Sequence, residues 1–150
     1  MNAEHYMREA LKEAAKAKEL GEVPVGAVIV VDDRTIARAH NETERCSDAT
    51  AHAELLAIRR ASEVLSNWRL SGASLFVTLE PCTMCIGAMV LSRIEKLYYG
   101  CTDPRQGAVG SLFDLSRFPM FPHEVEVFPG LLAQEAENLL KEFFKDRRSR

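Results

Sequence analysis

The sequence predicts an α/β protein, a three-layer α/β/α sandwich around a mixed central sheet of about five strands. Three observations point there. Short β-branched or aromatic runs alternate with segments whose apolar residues recur at helical spacing. The first two runs, residues 25–31 and 35–40, are separated only by Asp32-Asp33-Arg34, which reads as a hairpin turn and so as antiparallel pairing. The later runs 73–79 and 96–100 are separated by a helical segment, the crossover that parallel neighbours need.

Taken in order, residues 4–20 predict a helix, because Tyr6, Ala10, Leu11, Ala14 and Ala17 share one face and Gly21 follows as a stop. The β-branched run 25–31 suits a buried strand, and 35–40 returns beside it. Residues 41–49 are polar and irregular, hence a loop. Leu55, Ile58, Val64 and several alanines predict a helix over 51–65. Strand 73–79, helix 83–93 and strand 96–100 follow. Gly, Asp and Pro make 101–111 a loop, and 112–121 reads as a short turn of helix. Residues 125–128 form a short strand. Residues 131–144 close the chain as a helix with Leu132, Ala136, Leu139, Leu140 and Phe143 on one side. No repeat, linker or low-complexity tract interrupts the pattern, so 1–150 is expected to be one domain.

At 150 residues, with 47% hydrophobic and 27% charged residues, the composition is that of a soluble globular protein. The net charge of -3 excludes a general polycation, so any nucleic-acid contact must come from a local patch. Residues 1–8 carry no apolar signal core. The longest charge-free apolar run, 23–31, contains Pro24 and Gly26 and is too short to span a bilayer. A cytoplasmic protein without membrane partners is expected, whose four cysteines are metal ligands or free thiols rather than disulfides.

The chemistry begins at Pro81-Cys82-Thr83-Met84-Cys85. A proline at the first turn of a helix gives up no bonded N–H, and residues three apart share a helix face, so Cys82 and Cys85 can hold one metal ion. Alone, a Cys-x-x-Cys pair is equally a structural zinc knuckle or a redox pair. A third ligand changes the balance. Of the four histidines, His52 begins a helix and is followed two residues later by Glu54; His40 is the reserve. One imidazole and two thiolates offset the charge of Zn2+ and leave a fourth position open for water. Glu54 is then placed to carry protons. Residues two apart diverge by roughly 200° around a helix, so His52 and Glu54 converge only if the site faces the helix end. A closed structural site would instead need Cys46 or Cys101 as fourth ligand.

His52-x-Glu54 with Pro81-Cys82-x-x-Cys85 is the known signature of zinc nucleobase deaminases, a class whose worked cases include tRNA adenosine deaminases. The wider match runs nearly end to end, through Glu22-Val23-Pro24-Val25-Gly26-Ala27-Val28, Thr50-Ala51-His52-Ala53-Glu54, Thr78-Leu79-Glu80-Pro81-Cys82, Gly87-Ala88-Met89, Gly110-Ser111-Leu112 and Phe143-Phe144 before Arg147-Arg148. On these residues the chain resembles the bacterial tRNA-specific adenosine deaminases of the cytidine deaminase-like superfamily. The resemblance implies that superfamily's fold and a homodimer converting the wobble adenosine of a tRNA anticodon to inosine. It also implies one Zn2+ per subunit on His52, Cys82 and Cys85, with Glu54 moving protons. Asn41 would bond the flipped base, and Asp103 would lie at the neighbouring nucleotide. Tyr98-Tyr99 and Cys101 depart from the family pattern.

The stretch 141–150 has five basic residues against Glu142 and Asp146, which is also what a solvated helix end looks like. Phe143 and Phe144 tilt it towards RNA, one packing inward while the other offers a stacking face. Phe144, Arg147 and Arg148 are therefore candidate RNA contacts, with Arg93 and Arg105 as further phosphate candidates. Asn41 is either a turn residue or a reader of a purine edge. Two rivals stand beside this reading: a deaminase of free guanine, cytidine or a nucleotide, with the same core and a small closed pocket, and a non-catalytic zinc-stabilised RNA-binding module.

Overall fold

The computed structural model describes residues 1–148, with side chains to Arg147. Helix α1 (Ala3–Glu19) starts where Asn2 Oδ1 accepts the His5 amide at 3.2 Å. It ends in a left-handed Gly21 (φ 77°), whose N–H bonds Lys18 O while Glu22 N bonds Ala17 O at 2.9 Å. Strands β1 (Gly26–Val31) and β2 (Arg34–His40) pair antiparallel across Asp32 and Asp33, both at positive φ (49° and 60°). That is the primed turn whose twist matches a two-residue hairpin.

The remaining elements are α2 (Thr43–Cys46), α3 (Ala53–Leu65), β3 (Ser74–Leu79), α4 (Thr83–Leu91), β4 (Lys96–Cys101), β5 (Glu126–Phe128) and α5 (Ala133–Arg148). The five-stranded sheet has the order β2-β1-β3-β4-β5, with β1–β3 antiparallel and β3–β4 and β4–β5 parallel. Side chains alternate between two cores, as strand geometry requires. Val28, Val30 and Phe76 meet Tyr6, Met7 and Ala10 of α1 on one face, where Leu131 and Leu132 also pack. Ala27, Ile29, Leu75, Val77 and Leu97 meet Ala57 and Ala61 of α3 and Ile86 and Met89 of α4 on the other. These are the three layers of a mixed α/β sandwich. Tyr98 belongs to the first face, in register between Phe76 and Phe128 and stacked on both at 4.4 and 4.5 Å.

Three expectations change. Residues 41–49 contain the single-turn helix α2, because Glu22 accepts the amides of Glu44 at 3.1 Å and Arg45 at 2.8 Å. Residues 112–121 form turns with an isolated bridge between Val109 and Asp114, not a helix. Of the two connections between adjacent parallel strands only β3–β4 is helical; β4 reaches β5 through the loop 102–125.

Gly26 lets α1 sit directly on β1. A Cβ there would meet Ala10 O at 2.0 Å and Ala14 N at 2.5 Å, both backbone atoms. Gly26→Ala is therefore expected to lower the free energy of unfolding by about 3 kcal/mol or more, since the helix backbone must retreat. A urea midpoint within error of the parent chain would contradict this.

Candidate active site

The site is built at the carboxyl ends of β3 and β4, where open α/β sheets leave room for ligands. His52 is the N-cap of α3 and Cys82 the N-cap of α4, and neither side chain caps its own helix. The Ala53 amide is bonded instead by Asn41 Oδ1 at 2.8 Å, which leaves the imidazole free. Two helix N-termini thus converge on one point, the arrangement that the spacing of His52 and Glu54 demanded.

The candidate ligand atoms of His52, Cys82 and Cys85 all lie within 4.8 Å of one another. His52 Nδ1 is 3.7 Å from Cys82 Sγ and 3.5 Å from Cys85 Sγ. A tetrahedral zinc with ordinary Zn–S and Zn–N lengths separates S and N by about 3.6 Å, so the three groups fit zinc without rearrangement. Among the described residues this is the group of three such ligands that comes together. Cys46 is exposed, and the buried Cys101 thiol donates to Thr78 O at 3.6 Å. His40 Nδ1 lies 3.0 Å from Asn41 O, and His123 Nε2 2.7 Å from Ile94 O. The set of donors is three, which leaves a tetrahedral metal one open position.

The two thiols are unequal. Cys82 is lowered to about 4, chiefly by the hydrogen bond it shares with Cys85 and further by His52. Cys85 is raised, first by the same bond and then by burial. His52 is raised, first by its bond to Cys82. Glu54, on the first turn of α3, is 4% exposed, and burial pushes its carboxyl up to about 7. A carboxyl at that level both takes and gives a proton at neutral pH.

A cleft of about 460 Å3 opens onto these groups, and Asn41, Asp103, Arg105, Gln106 and Phe144 line it. The expected donor-and-acceptor Asn41 is half engaged: its carbonyl accepts the Ala53 amide, and its NH2 remains for a ligand. Phe143 is buried while Phe144 is 44% exposed beside the cleft, so the pair divides between packing and surface. Arg147 is exposed, with its guanidinium 4.9 Å over the Phe143 ring, and does not line the cleft. The Arg148 side chain lies outside the described residues. Arg93 is at the far end of α4, bonded to Val90 O and Leu91 O, each at 3.0 Å.

Of the buried carboxylates to which sequence reasoning gave no role, two shape the cleft. Glu22 anchors α2 beneath one wall of the cleft. Glu80, 2% exposed, accepts the amides of Asp103 at 3.0 Å, Val109 at 3.1 Å and Ser111 at 3.0 Å, and the Ser111 hydroxyl. Burial opposes ionisation of Glu80, but the Ser111 hydroxyl and the three amides outweigh it and lower its pKa. The available signal was an acid at the end of an otherwise apolar strand.

Fold and site together define a deaminase of the cytidine deaminase-like fold. The family described as MafB19-like deaminase matches residues 1–148. A tRNA-specific adenosine deaminase of Bacillus subtilis is 50% identical over 147 residues, covering 98% of this chain and 91% of its own. A solved chain from studies of A-to-I editing by tRNA:A34 deaminases superposes with a TM-score of 0.88 at 49% identity, over 91% of this chain and 99% of that one. The guanine deaminase of Bacillus subtilis superposes more loosely, with a TM-score of 0.67 and 30% identity over 100% and 96% of the two chains. The chain belongs to the tRNA-specific adenosine deaminase family.

Proposed function

We propose that this enzyme hydrolyses adenosine to inosine at the wobble position of a tRNA anticodon, using one Zn2+ per subunit. The observation that carries the reading is the buried Glu54 beside the His52, Cys82 and Cys85 donors at the floor of an open cleft. Zinc held by those three residues supplies the Lewis acidity that brings the pKa of water towards ~7. Glu54 accepts the proton that water loses and delivers protons to the ring nitrogen and the leaving amine. Water adds to C6 of the base, the bond to the exocyclic nitrogen breaks, and ammonia leaves. Asn41 directs its NH2 at an acceptor on the flipped base. Asp103 and Phe144 contact the flanking nucleotides, and Arg147 and Arg148 the phosphates.

Incubation with an anticodon stem-loop RNA is expected to yield equal amounts of inosine and ammonia, with no ammonia from free guanine, cytidine or adenosine. Turnover of a free base or nucleoside alone would overturn the tRNA assignment in favour of the small-substrate reading.

Arg147→Ala is expected to weaken stem-loop binding and to reduce the slope of log K against log salt by about 0.7–1, the loss of one phosphate contact. An unchanged slope would remove Arg147 from the interface.

The homodimer is part of the same proposal. Ile86, Met89 and Val90 pack into the chain's own core, with half-buried Met84 against it, whereas Gly87, Ala88 and Leu91 lie on the outer side of α4. Leu91 is 67% exposed and nothing lies within 4 Å of a Cβ built on Gly87, so a second copy could approach closely. Sedimentation at micromolar concentration should give twice the chain mass; monomer alone would refute it. No helix among the described residues is long and apolar enough to cross a membrane.

A further inference from the structure

We propose that Glu80 is a positioning residue: its buried carboxylate sets the Asp103–Ser111 wall of the cleft against the helix that carries Cys82 and Cys85, and so governs how tightly RNA is held. The inference rests on the tRNA deaminase reading and deepens it.

Glu80 stands at a junction. Its own amide bonds Cys101 O at 2.9 Å, extending the β3–β4 pairing to the rim of the sheet. One residue later the chain turns into α4, and Pro81 O accepts the Ala108 amide at 2.9 Å. From this rim the side chain crosses into the following loop. Oε1 accepts from the Asp103 amide and the Ser111 hydroxyl, and Oε2 from the Val109 and Ser111 amides. The loop closes around the carboxylate so tightly that a Cβ on Gly107 would lie 2.3 Å from its carbon and 2.4 Å from each oxygen.

The segment between the anchored amides of Asp103 and Val109 faces the cleft through Asp103, Pro104, Arg105 and Gln106, next to Thr102 and Glu80, which also line it. It has its own small turn, in which Asp103 Oδ1 accepts the amides of Arg105 at 3.0 Å and Gln106 at 3.2 Å. That turn fixes the internal shape of the arc but not its distance from the metal-binding helix. The Pro81 O–Ala108 bond ties one point of the arc to the start of that helix, and Glu80, two residues before Cys82, grips both ends.

The requirement is for a carboxylate and not merely for a side chain of this size. An ionised carboxylate has about four lone-pair sites and no donor, which matches the donors around it. Glutamine has one carbonyl oxygen and an NH2 group. With its oxygen at the Oε2 place, the Val109 and Ser111 amides stay bonded, and the Ser111 hydroxyl can rotate to accept from the NH2. The Asp103 amide cannot rotate and loses its acceptor. Glu80→Gln therefore releases the wall at Asp103, the end nearest the candidate RNA contact.

The test compares wild type, Glu80→Gln and Gly107→Ala on the anticodon stem-loop, with zinc content measured for each. Both variants are expected to keep one zinc per chain and a kcat within about threefold of wild type, while KM rises about tenfold, the pattern of lost uniform binding. The two changes act on one contact from opposite sides, so they should not multiply. Adding Gly107→Ala to Glu80→Ala, where the carboxylate has gone, should change KM by less than about twofold. An unchanged KM in Glu80→Gln and Gly107→Ala overturns the inference. So does loss of zinc, or a fall in kcat at constant KM, either of which would make Glu80 a support of the metal half. Should Glu80→Gln fail to fold, Gly107→Ala alone decides by the same criteria. A wild-type chain that makes no inosine would instead refute the tRNA reading beneath it.

Discussion

Glu54→Ala is expected to lower stem-loop deamination by about 10³-fold or more while zinc and RNA remain bound. The side chain is buried at the start of α3, beside but outside the His52, Cys82 and Cys85 donor set. Removing it therefore deletes the proton carrier and leaves the three metal donors and the walls of the cleft in place. Zinc per chain, stem-loop affinity and single-turnover inosine formation are the three readouts. A variant that keeps zinc and RNA but retains more than about a tenth of the wild-type rate would assign the proton transfers elsewhere. A non-catalytic RNA-binding module would have no turnover to lose in either chain.

Cys85→Ala should abolish both zinc binding and activity, with a loss of thermal stability that the Glu54 variant does not share. Cys85 is fully buried on the first turn of α4 and sits 3.5 Å from His52 Nδ1, so no other described cysteine can replace it. A ligand bound at 1,000 times its Kd stabilises by about 4 kcal/mol, because it binds only the folded chain. For a chain of this size each kcal/mol moves the Tm by about 2–4 °C, so calorimetry should find a fall of about 10 °C. Chelation of the wild-type chain should reproduce it, and re-addition of zinc should reverse it. If Cys85→Ala keeps a full equivalent of zinc, the donor set proposed here is wrong.

Much of the fold was legible because its determinants are local. The short apolar runs of β1 and β3, the two acidic residues of the hairpin turn and the glycine after α1 each act within a few positions. The failures share a cause. Helix α2 exists because Glu22 bonds amides 22 and 23 residues away, and a four-residue helix has no periodicity to read. The 102–125 connection takes its course from Glu80, 23 to 31 residues upstream of the amides it holds. Tyr98 proves to be the middle ring of a stack across three strands, which depends on register alone.

For the site, the sequence by itself determined which groups are on offer: an imidazole, two thiols one helical turn apart, and a carboxyl two residues from the imidazole. Those identities constrain the chemistry wherever the groups meet. Only the tertiary structure decided that they meet, by aiming two helix starts at one point across the ends of β3 and β4. It also decided that Glu54 is dry enough to be pushed up to about 7, and that the Asn41 carbonyl is already engaged by the Ala53 amide. The physical reason is the same for each. Burial, convergence and hydrogen-bond partners are set by segments distant in the chain, and desolvation and long-range pairing leave no mark in local sequence pattern.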